Sequence, residues 1–170
     1  VTGRASARPT DRSPDMPPTP QDTRNASELV DAIEKLRTRL IDAVAGYDEA
    51  LEHAEPDVAP TLRTLRGAHE REIERLVPVL TRLHGDTTSE GSWMTPVQKA
   101  VMNARAWLTG IDEGVIPAVV RGERSLLELY DDAIGEAAGE PDVLVPLADQ
   151  RAELARLVDA LEARGRAAGR

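Results

Sequence analysis

Residues 58–84 read VAPTLRTLRGAHEREIERLVPVLTRLH and contain the clearest structural signal in the chain. The leucines of this stretch fall on one face of an α-helix. They are Leu62, Leu65, Leu76, Leu80 and Leu83. The pattern predicts a long amphipathic helix, helix B, over the whole stretch, capped by Gly85. Two polar residues, His69 and Glu72, occupy the same face in the middle of the helix.

Three further stretches show the same helical period of apolar residues. Helix A is predicted to begin at the capping box that Asn25 forms with Glu28. The predicted bounds are about 25–54 for helix A, 112–137 for helix C, and up to about 164 for helix D after a turn at 139–141. No stretch shows the alternating pattern of a strand, so the predicted fold class is all-α.

The connections between the helices indicate a topology. The A–B and C–D turns are short, which predicts two antiparallel hairpins. The B–C connection spans about 27 residues and contains a shorter helix that starts with a capping box at 95–98. A connection of this length can cross the bundle from end to end, which predicts a ferritin-like four-helix bundle with a long B–C crossover containing an extra short helix. A simple up-down-up-down bundle is the alternative.

The first 24 residues differ in composition from the rest of the chain. They are rich in Pro, Ser, Thr and Arg and almost free of apolar side chains. Such a segment cannot bury enough surface to offset its ordering entropy. We expect residues 1–24 to form a disordered tail and residues 25–168 to form one bundle. The chain has neither a secretory signal nor a transmembrane stretch, which predicts a cytoplasmic protein.

The charge and the residue types exclude several classes of function. The 170 residues carry a formal net charge of −9, which disfavours nucleic acid and anionic membranes as partners. The absence of cysteine excludes disulfides, thiolate catalysis and iron–sulfur clusters. The chain has no phosphate-binding loop and no nucleophile elbow, so the sequence argues against an enzyme. A homo-oligomer or a protein partner is left open.

Polar residues lie on the apolar face of helices B, C and D. At about 1.5 Å per residue, those on the three helices fall at one level of the crossover bundle, in a layer about 5 to 6 Å thick. Tyrosines of helices A and C face the same interior. The predicted polar layer consists of Tyr47, His69, Glu72, Glu123, Tyr130 and Gln150.

Two hypotheses explain the polar layer. In the first, it is a hydrogen-bonded network without a cofactor, because a buried carboxylate must be paired or protonated. In the second, iron or manganese is bound by the candidate ligands His69, Glu72, Glu123 and Gln150. The di-iron proteins of ferritin-like fold use more ligands than this layer offers. Here helix A supplies no inward glutamate and helix D supplies no histidine. The first hypothesis is therefore preferred.

The remaining histidines and the tryptophans have simpler explanations. His53 and His84 lie near predicted helix C-termini, where an imidazolium complements the helix dipole. Trp93 and Trp107 are predicted to anchor the short crossover helix onto the bundle. Alternatively, the two indoles form an exposed apolar face, and the chain is a scaffold that binds a protein partner.

Short motifs along the chain resemble those of one protein family. The motifs are Asp42, Gly46-Tyr47-x-Glu49-Ala50, Leu83-x-Gly85-Asp86, Gly91-Ser92, Trp107, and Arg121-Gly122-Glu123 followed by Tyr130 and Asp132-Ala133. Over about residues 27–165 they resemble a bacterial ferritin-like family known only as domain of unknown function twenty-three eighty-three. The resemblance implies a ferritin-like four-helix bundle and no established activity.

One departure from that family concerns the metal hypothesis. Its members commonly have a histidine in helix D downstream of the glutamine that Gln150 resembles, whereas this chain has Val158-Asp159 in that region. The sequence thus predicts a non-catalytic bundle that serves as a stress-associated or interaction protein. The alternatives are an iron- or manganese-binding protein and a scaffold that uses Trp93 and Trp107.

Overall fold

The computed structural model describes residues 20–84 and 111–168. These ranges contain four α-helices and no strand, which confirms the all-α prediction. The helices are α1 Pro20–Glu52, α2 Ala59–His84, α3 Ile116–Glu136 and α4 Pro141–Ala168. Short 3₁₀ turns occupy Glu113–Val115 and Ala137–Gly139. The predictions for residues 1–19 and for the short helix with Trp93 and Trp107 lie outside the described residues.

Helix α1 begins five residues earlier than the capping box predicts. Pro20 is its first residue, a position that suits proline because the amide hydrogen there has no helical partner. Asn25 lies inside the helix, and its Oδ1 accepts a hydrogen bond of 3.0 Å from Gln21 Nε2 one turn earlier. Residues 20–24, predicted as part of the disordered tail, are therefore helical.

The apolar faces of the four helices form two core clusters. Leucines of all four helices contribute to the larger cluster, in which α3 supplies Leu126 together with Tyr130 and Ala133. Each fully buried leucine stabilises the fold by roughly 1.5 to 3 kcal/mol relative to an exposed one. Leu36, Leu76 and Leu147 are completely shielded from solvent. Burial of these faces therefore determines which side of each helix points inward.

Two backbone hydrogen bonds establish the directions in which the helices run. Ile111 N–H donates to the carbonyl of His53 at 3.0 Å, and Glu55 N–H donates to the carbonyl of Ile111 at 2.9 Å. The chain thus re-enters the described fold beside the α1–α2 turn. Because α2 and α3 both begin at this end, they run parallel, and residues 84 and 111 lie at opposite ends of the bundle. Helix α1 packs against α2 and α3, and α4 packs against α3 and α2.

Arg164 fastens the end of α4 to the α1–α2 turn. Its guanidinium donates to Thr61 Oγ1 at 2.8 Å and to the carbonyl of Asp57 at 2.9 Å, and it also forms an ion pair with Glu113. Asp112 caps the 3₁₀ turn beside it, with Oδ1 accepting from Gly114 N–H at 2.8 Å. These contacts hold the start of α3 against the end of α4.

None of the described helices combines the length and the apolar character needed to cross a membrane.

Candidate functional site: a buried His–Glu layer

Four polar side chains are buried in the described part of the bundle. His69 and Glu72 lie on α2, Glu123 on α3 and Gln150 on α4, and none is more than 2% exposed. Each occupies the apolar face of its helix. Gln150, for example, lies three residues after Leu147 and four before Leu154, both of them core residues. Helical spacing therefore directs all four into the interior.

His69 lies between two carboxylates. Its Nδ1 is 2.8 Å from Glu72 Oε2, on the next turn of the same helix, and its Nε2 is 3.1 Å from Glu123 Oε1, across the bundle on α3. The ring of Tyr47 stacks on the imidazole with a centroid separation of 5.9 Å and an interplanar angle of 22°. With both nitrogens facing carboxylates, the imidazole is placed to carry two protons.

Two tyrosines extend the hydrogen bonds of the layer to α1 and α4. Tyr47 on α1 donates its hydroxyl hydrogen to Glu123 Oε1, and Tyr130 on α3 donates to Gln150 Oε1 at 3.0 Å. Burial and then the charge and hydrogen bond of Glu123 raise the pKa of Tyr47 far above its usual range. Burial, followed by the charge of Glu72, does the same to the pKa of Tyr130. Both phenols therefore remain protonated donors, and all four helices contribute to the layer.

The charge state of the layer depends on His69. Burial lowers the pKa of His69, but the hydrogen bonds and charges of Glu123 and Glu72 outweigh burial and raise it to about 9. At neutral pH the imidazolium therefore faces the carboxyl groups of both glutamates. Two buried atoms of the layer, Glu123 Oε2 and Gln150 Nε2, form no hydrogen bond within the described structure. The hydrogen-bonding capacity of the layer is thus nearly, but not fully, satisfied.

The donor set does not fit a two-metal centre. Such centres use roughly six protein ligands from four helices, whereas this layer has one imidazole, two carboxylates and an amide oxygen already bonded to Tyr130. Among the residues of 20–84 and 111–168, no three histidine or acidic side chains are arranged to hold a metal ion. Both nitrogens of His69 are engaged with carboxylates instead.

The remaining sequence candidates lie away from the layer. His53 follows the last residue of α1 and is exposed, and His84 is the last residue of α2, as expected for helix C-termini. The partner surface predicted for Trp93 and Trp107 lies outside the described residues.

Sequence reasoning missed the ion pairs between α2 and α4. Arg75 pairs with Glu153 at 2.9 Å, and Arg82 pairs with Asp142 at 3.1 Å. The arginines are seven residues apart and so share one face of α2. Nothing in the sequence names their partners, because the pairing depends on how α4 is placed against α2.

A family model described as "Domain of unknown function (DUF2383)" matches residues 28–136. The chain belongs to this family. The DUF2383 match begins at Glu28 within α1 and ends at the last residue of α3, and it includes every layer residue except Gln150. No curated protein and no solved structure matches the chain.

Removal of the Glu123 side chain tests how strongly the layer is coupled. In Glu123→Ala, the Tyr47 hydroxyl and His69 Nε2 lose their acceptor, and we expect the free energy of unfolding to fall by about 1 to 3 kcal/mol. Urea unfolding measures this change. Glu128→Ala, at an exposed position on the same helix, is the control and should change stability by about 0.5 kcal/mol or less. Equal effects of the two substitutions would contradict the coupling.

The stability should depend on pH through His69. Its pKa is about 9 in the folded protein, above the ordinary value of 6.5. The stabilisation that protonated His69 provides is therefore complete below about pH 6.5 and is lost as the pH rises through about 9. Urea unfolding at a series of pH values should show this decline in the wild type.

Two comparisons isolate the contribution of His69. His53→Gln, at an exposed position, should retain the decline, whereas His69→Gln should lose it. An NMR titration of the His69 ring in the wild-type protein gives the pKa directly, even where a variant folds poorly. A measured pKa at or below 6.5 would contradict the arrangement.

Proposed function

We propose that the chain is a non-catalytic, ferritin-like bundle of the DUF2383 family in which the buried layer fixes the register of the helices. The ferritin-like topology is supported by the packing partners of each helix. Since α2 and α3 run parallel and are not neighbours, the connection across residues 85–110 has to link opposite ends of the bundle. A long crossover of this kind distinguishes ferritin-like bundles from up-down-up-down ones.

The observation that carries the functional proposal is that both ring nitrogens of His69 are hydrogen-bonded to glutamates. One nitrogen bonds to Glu72 on its own helix and the other to Glu123 on α3, where Tyr47 from α1 bonds to the same oxygen. A shift of α2 relative to α3 by one turn would separate His69 from Glu123 and leave charges buried without partners, and a shift of α1 would separate Tyr47 from Glu123. Buried polar networks have this specifying role in some proteins. We infer that the layer selects one arrangement among several that the apolar faces allow.

The same burial argues against turnover at the layer. A reaction requires that a substrate reach the acid or base within hydrogen-bond distance. His69, Glu72 and Glu123 are 0–2% exposed. Their acidic and basic groups form hydrogen bonds with one another. The wider roles predicted from the sequence, as a stress-associated or interaction protein in the cytoplasm, remain predictions.

Replacement of the whole layer by apolar side chains tests the register proposal. The variant carries Tyr47→Phe, His69→Leu, Glu72→Met, Glu123→Leu, Tyr130→Phe and Gln150→Leu. It leaves no buried partner unpaired, so we expect it to remain helical by circular dichroism. We also expect it to lose the single, well-dispersed set of amide signals in a ¹⁵N–¹H NMR spectrum, because register is no longer specified.

A smaller variant provides the matched control. Tyr130→Phe with Gln150→Leu removes only the outer hydrogen bond and keeps His69 with both carboxylates, so it should retain one set of signals. One sharp set of native-like signals from the fully apolar variant would refute the register proposal.

A single bound cation is the second candidate. The observation that favours it is Glu123 Oε2, a buried carboxylate oxygen without a hydrogen bond. The side chains of Glu123, Glu72 and His69 would have to rearrange to bind iron or manganese, because their present arrangement does not hold a metal ion and both nitrogens of His69 are bonded to the two glutamates. Hard divalent cations prefer such oxygen ligands.

Elemental analysis of protein purified without chelator separates the two candidates. Under the register proposal, iron and manganese are far below one equivalent, and adding either metal leaves the melting temperature unchanged. A rise of several degrees would show binding to the folded state. Stoichiometric metal that is lost in Glu123→Ala would establish the cation and overturn the first candidate. Glu128→Ala is again the control.

A further inference from the structure

Four apolar side chains of α1 and α2 lie outside both core clusters. They are Val30, Ile41 and Val44 on α1 and Val77 on α2. Each is only partly buried, and none packs against either cluster of the described residues. By comparison, the partly buried Ile73 of α2 does pack against the larger cluster. The four side chains therefore form an apolar surface that the core of the described bundle does not use.

The ion pair between Asp48 and Arg66 locates this surface. It joins α1 to α2, and both side chains are open to solvent. Ile41 lies seven residues before Asp48, and Val77 lies eleven residues after Arg66. At about 100° per residue, each falls within about 20° of the ion-paired residue on its own helix. The surface formed by Val30, Ile41, Val44 and Val77 thus follows the outer seam between α1 and α2, and we name it the α1–α2 strip.

The opposite flank of α2 carries a different surface. There Arg75 and Arg82 pair with residues of α4, and a groove lies between the two helices. The lining of the groove includes Pro78, Val145, Pro146 and Gln150. The strip and the groove are thus two separate surfaces along which residues 85–110 could cross the bundle.

Both ends of residues 85–110 lie on the α1–α2 hairpin. The segment follows His84, the last residue of α2, and returns at Ile111, whose backbone bonds to the turn that follows α1. Helix α2 has 26 residues, so the two ends are about 39 Å apart. A helix of about 15 residues covers about 22 Å, and about 11 extended residues cover more than the rest. The point of return adjoins the end of α1, which borders the strip, whereas the groove is lined by residues of α2 and α4.

The sequence of the segment complements the strip in polarity and charge. Apolar residues recur at helical spacing, and they are Trp93, Val97, Val101, Ala104, Trp107 and Leu108. Each indole has about 150 to 250 Å² of surface to bury, and the strip offers aliphatic side chains. The short helix that the sequence predicts has two cations, Lys99 and Arg105, and no carboxylate. On the seam, the carboxylates of Asp48 and Glu70 share the single guanidinium of Arg66, which leaves an excess of negative charge.

We propose that residues 85–110 dock along the α1–α2 strip, with the indoles of Trp93 and Trp107 packed on its aliphatic side chains. The docked segment connects the two ends of the bundle and keeps both tryptophans from a protein partner. The position rests on the course of the chain at His84 and Ile111. It does not depend on the polar layer or on a metal.

Spin labels test the position of the segment in the full-length protein. The chain has no cysteine, so one introduced cysteine takes the label at one site. Thr38→Cys labels an exposed position of α1, and Ala152→Cys labels an exposed position of α4. Helices α1 and α4 lie on a diagonal of the bundle, since each packs against α2 and α3. Trp93 and Trp107 are the two tryptophans of the chain, and their indole N–H signals in a ¹⁵N–¹H NMR spectrum are the probes.

The label at position 38 should broaden both indole signals, and the label at position 152 should broaden neither. Broadening that is equal from the two positions, confined to Ala152→Cys, or absent from both variants would overturn the proposal. Both label positions are exposed, so the comparison does not disturb the core.

A matched pair of substitutions tests the apolar contact. Val77→Ala shortens a side chain of the strip, and Val145→Ala makes the same change on α4, where the valine is 55% exposed. If the indoles pack on the strip, Val77→Ala should make the indole hydrogens exchange with heavy water about 2- to 5-fold faster, because docking is weaker. Val145→Ala should leave their exchange unchanged.

Two results of the exchange experiment would contradict docking on the strip. One is equal exchange of the indole hydrogens in the two valine variants. The other is exchange in the native protein at the rate of the urea-unfolded chain, which would show that the tryptophans are open to a partner instead.

Discussion

The burial of His69 between Glu72 and Glu123 is the constraint on which the packing of the helices depends. Apolar faces can pack in more than one arrangement, because hydrophobic contacts are not directional. A buried carboxylate is not tolerant, because it has to keep its partner or lose its charge. In the register proposal, the contact between Glu123 and His69 sets the position of α3 relative to α2. The hydroxyl of Tyr47 extends the same requirement to α1.

The arrangement also explains why the layer is not an obvious reaction centre. Acid–base catalysts are poised near the operating pH and open to a substrate. Here the two carboxylates raise the pKa of His69 to about 9, and the tyrosine pKa values move further upward. Each group therefore favours one protonation state at neutral pH. This pattern supports the proposal that the layer is a structural network.

The α2–α4 seam differs from the other helix contacts. Ion pairs occur at the α1–α2, α3–α4 and α2–α4 contacts, whereas the groove with two prolines lies between α2 and α4. Gln150 belongs to both environments, since Tyr130 binds one end of its amide and the other end is unpaired. The interior and the surface of the bundle are thus connected through one side chain.

The sequence by itself determined the helical class and the inward face of each helix, because burial follows the helical period of apolar residues and needs no knowledge of neighbours. For the same reason it identified His69, Glu72, Glu123 and Gln150 as interior residues. Only the tertiary structure decided that His69 bonds to Glu123 and that Gln150 bonds to Tyr130. Partner choice depends on the distances and angles between helices, and the sequence contains no local signal for these.

The start of α1 and the groove were decided in the same way. The capping-box pattern at Asn25 was a valid local signal, but the helix continues to Pro20, where proline suits the first turn. The groove between α2 and α4 arises where prolines and arginines from distant parts of the chain face each other. Local patterns specify what a residue can do, and only the packing of whole helices determines which residues meet.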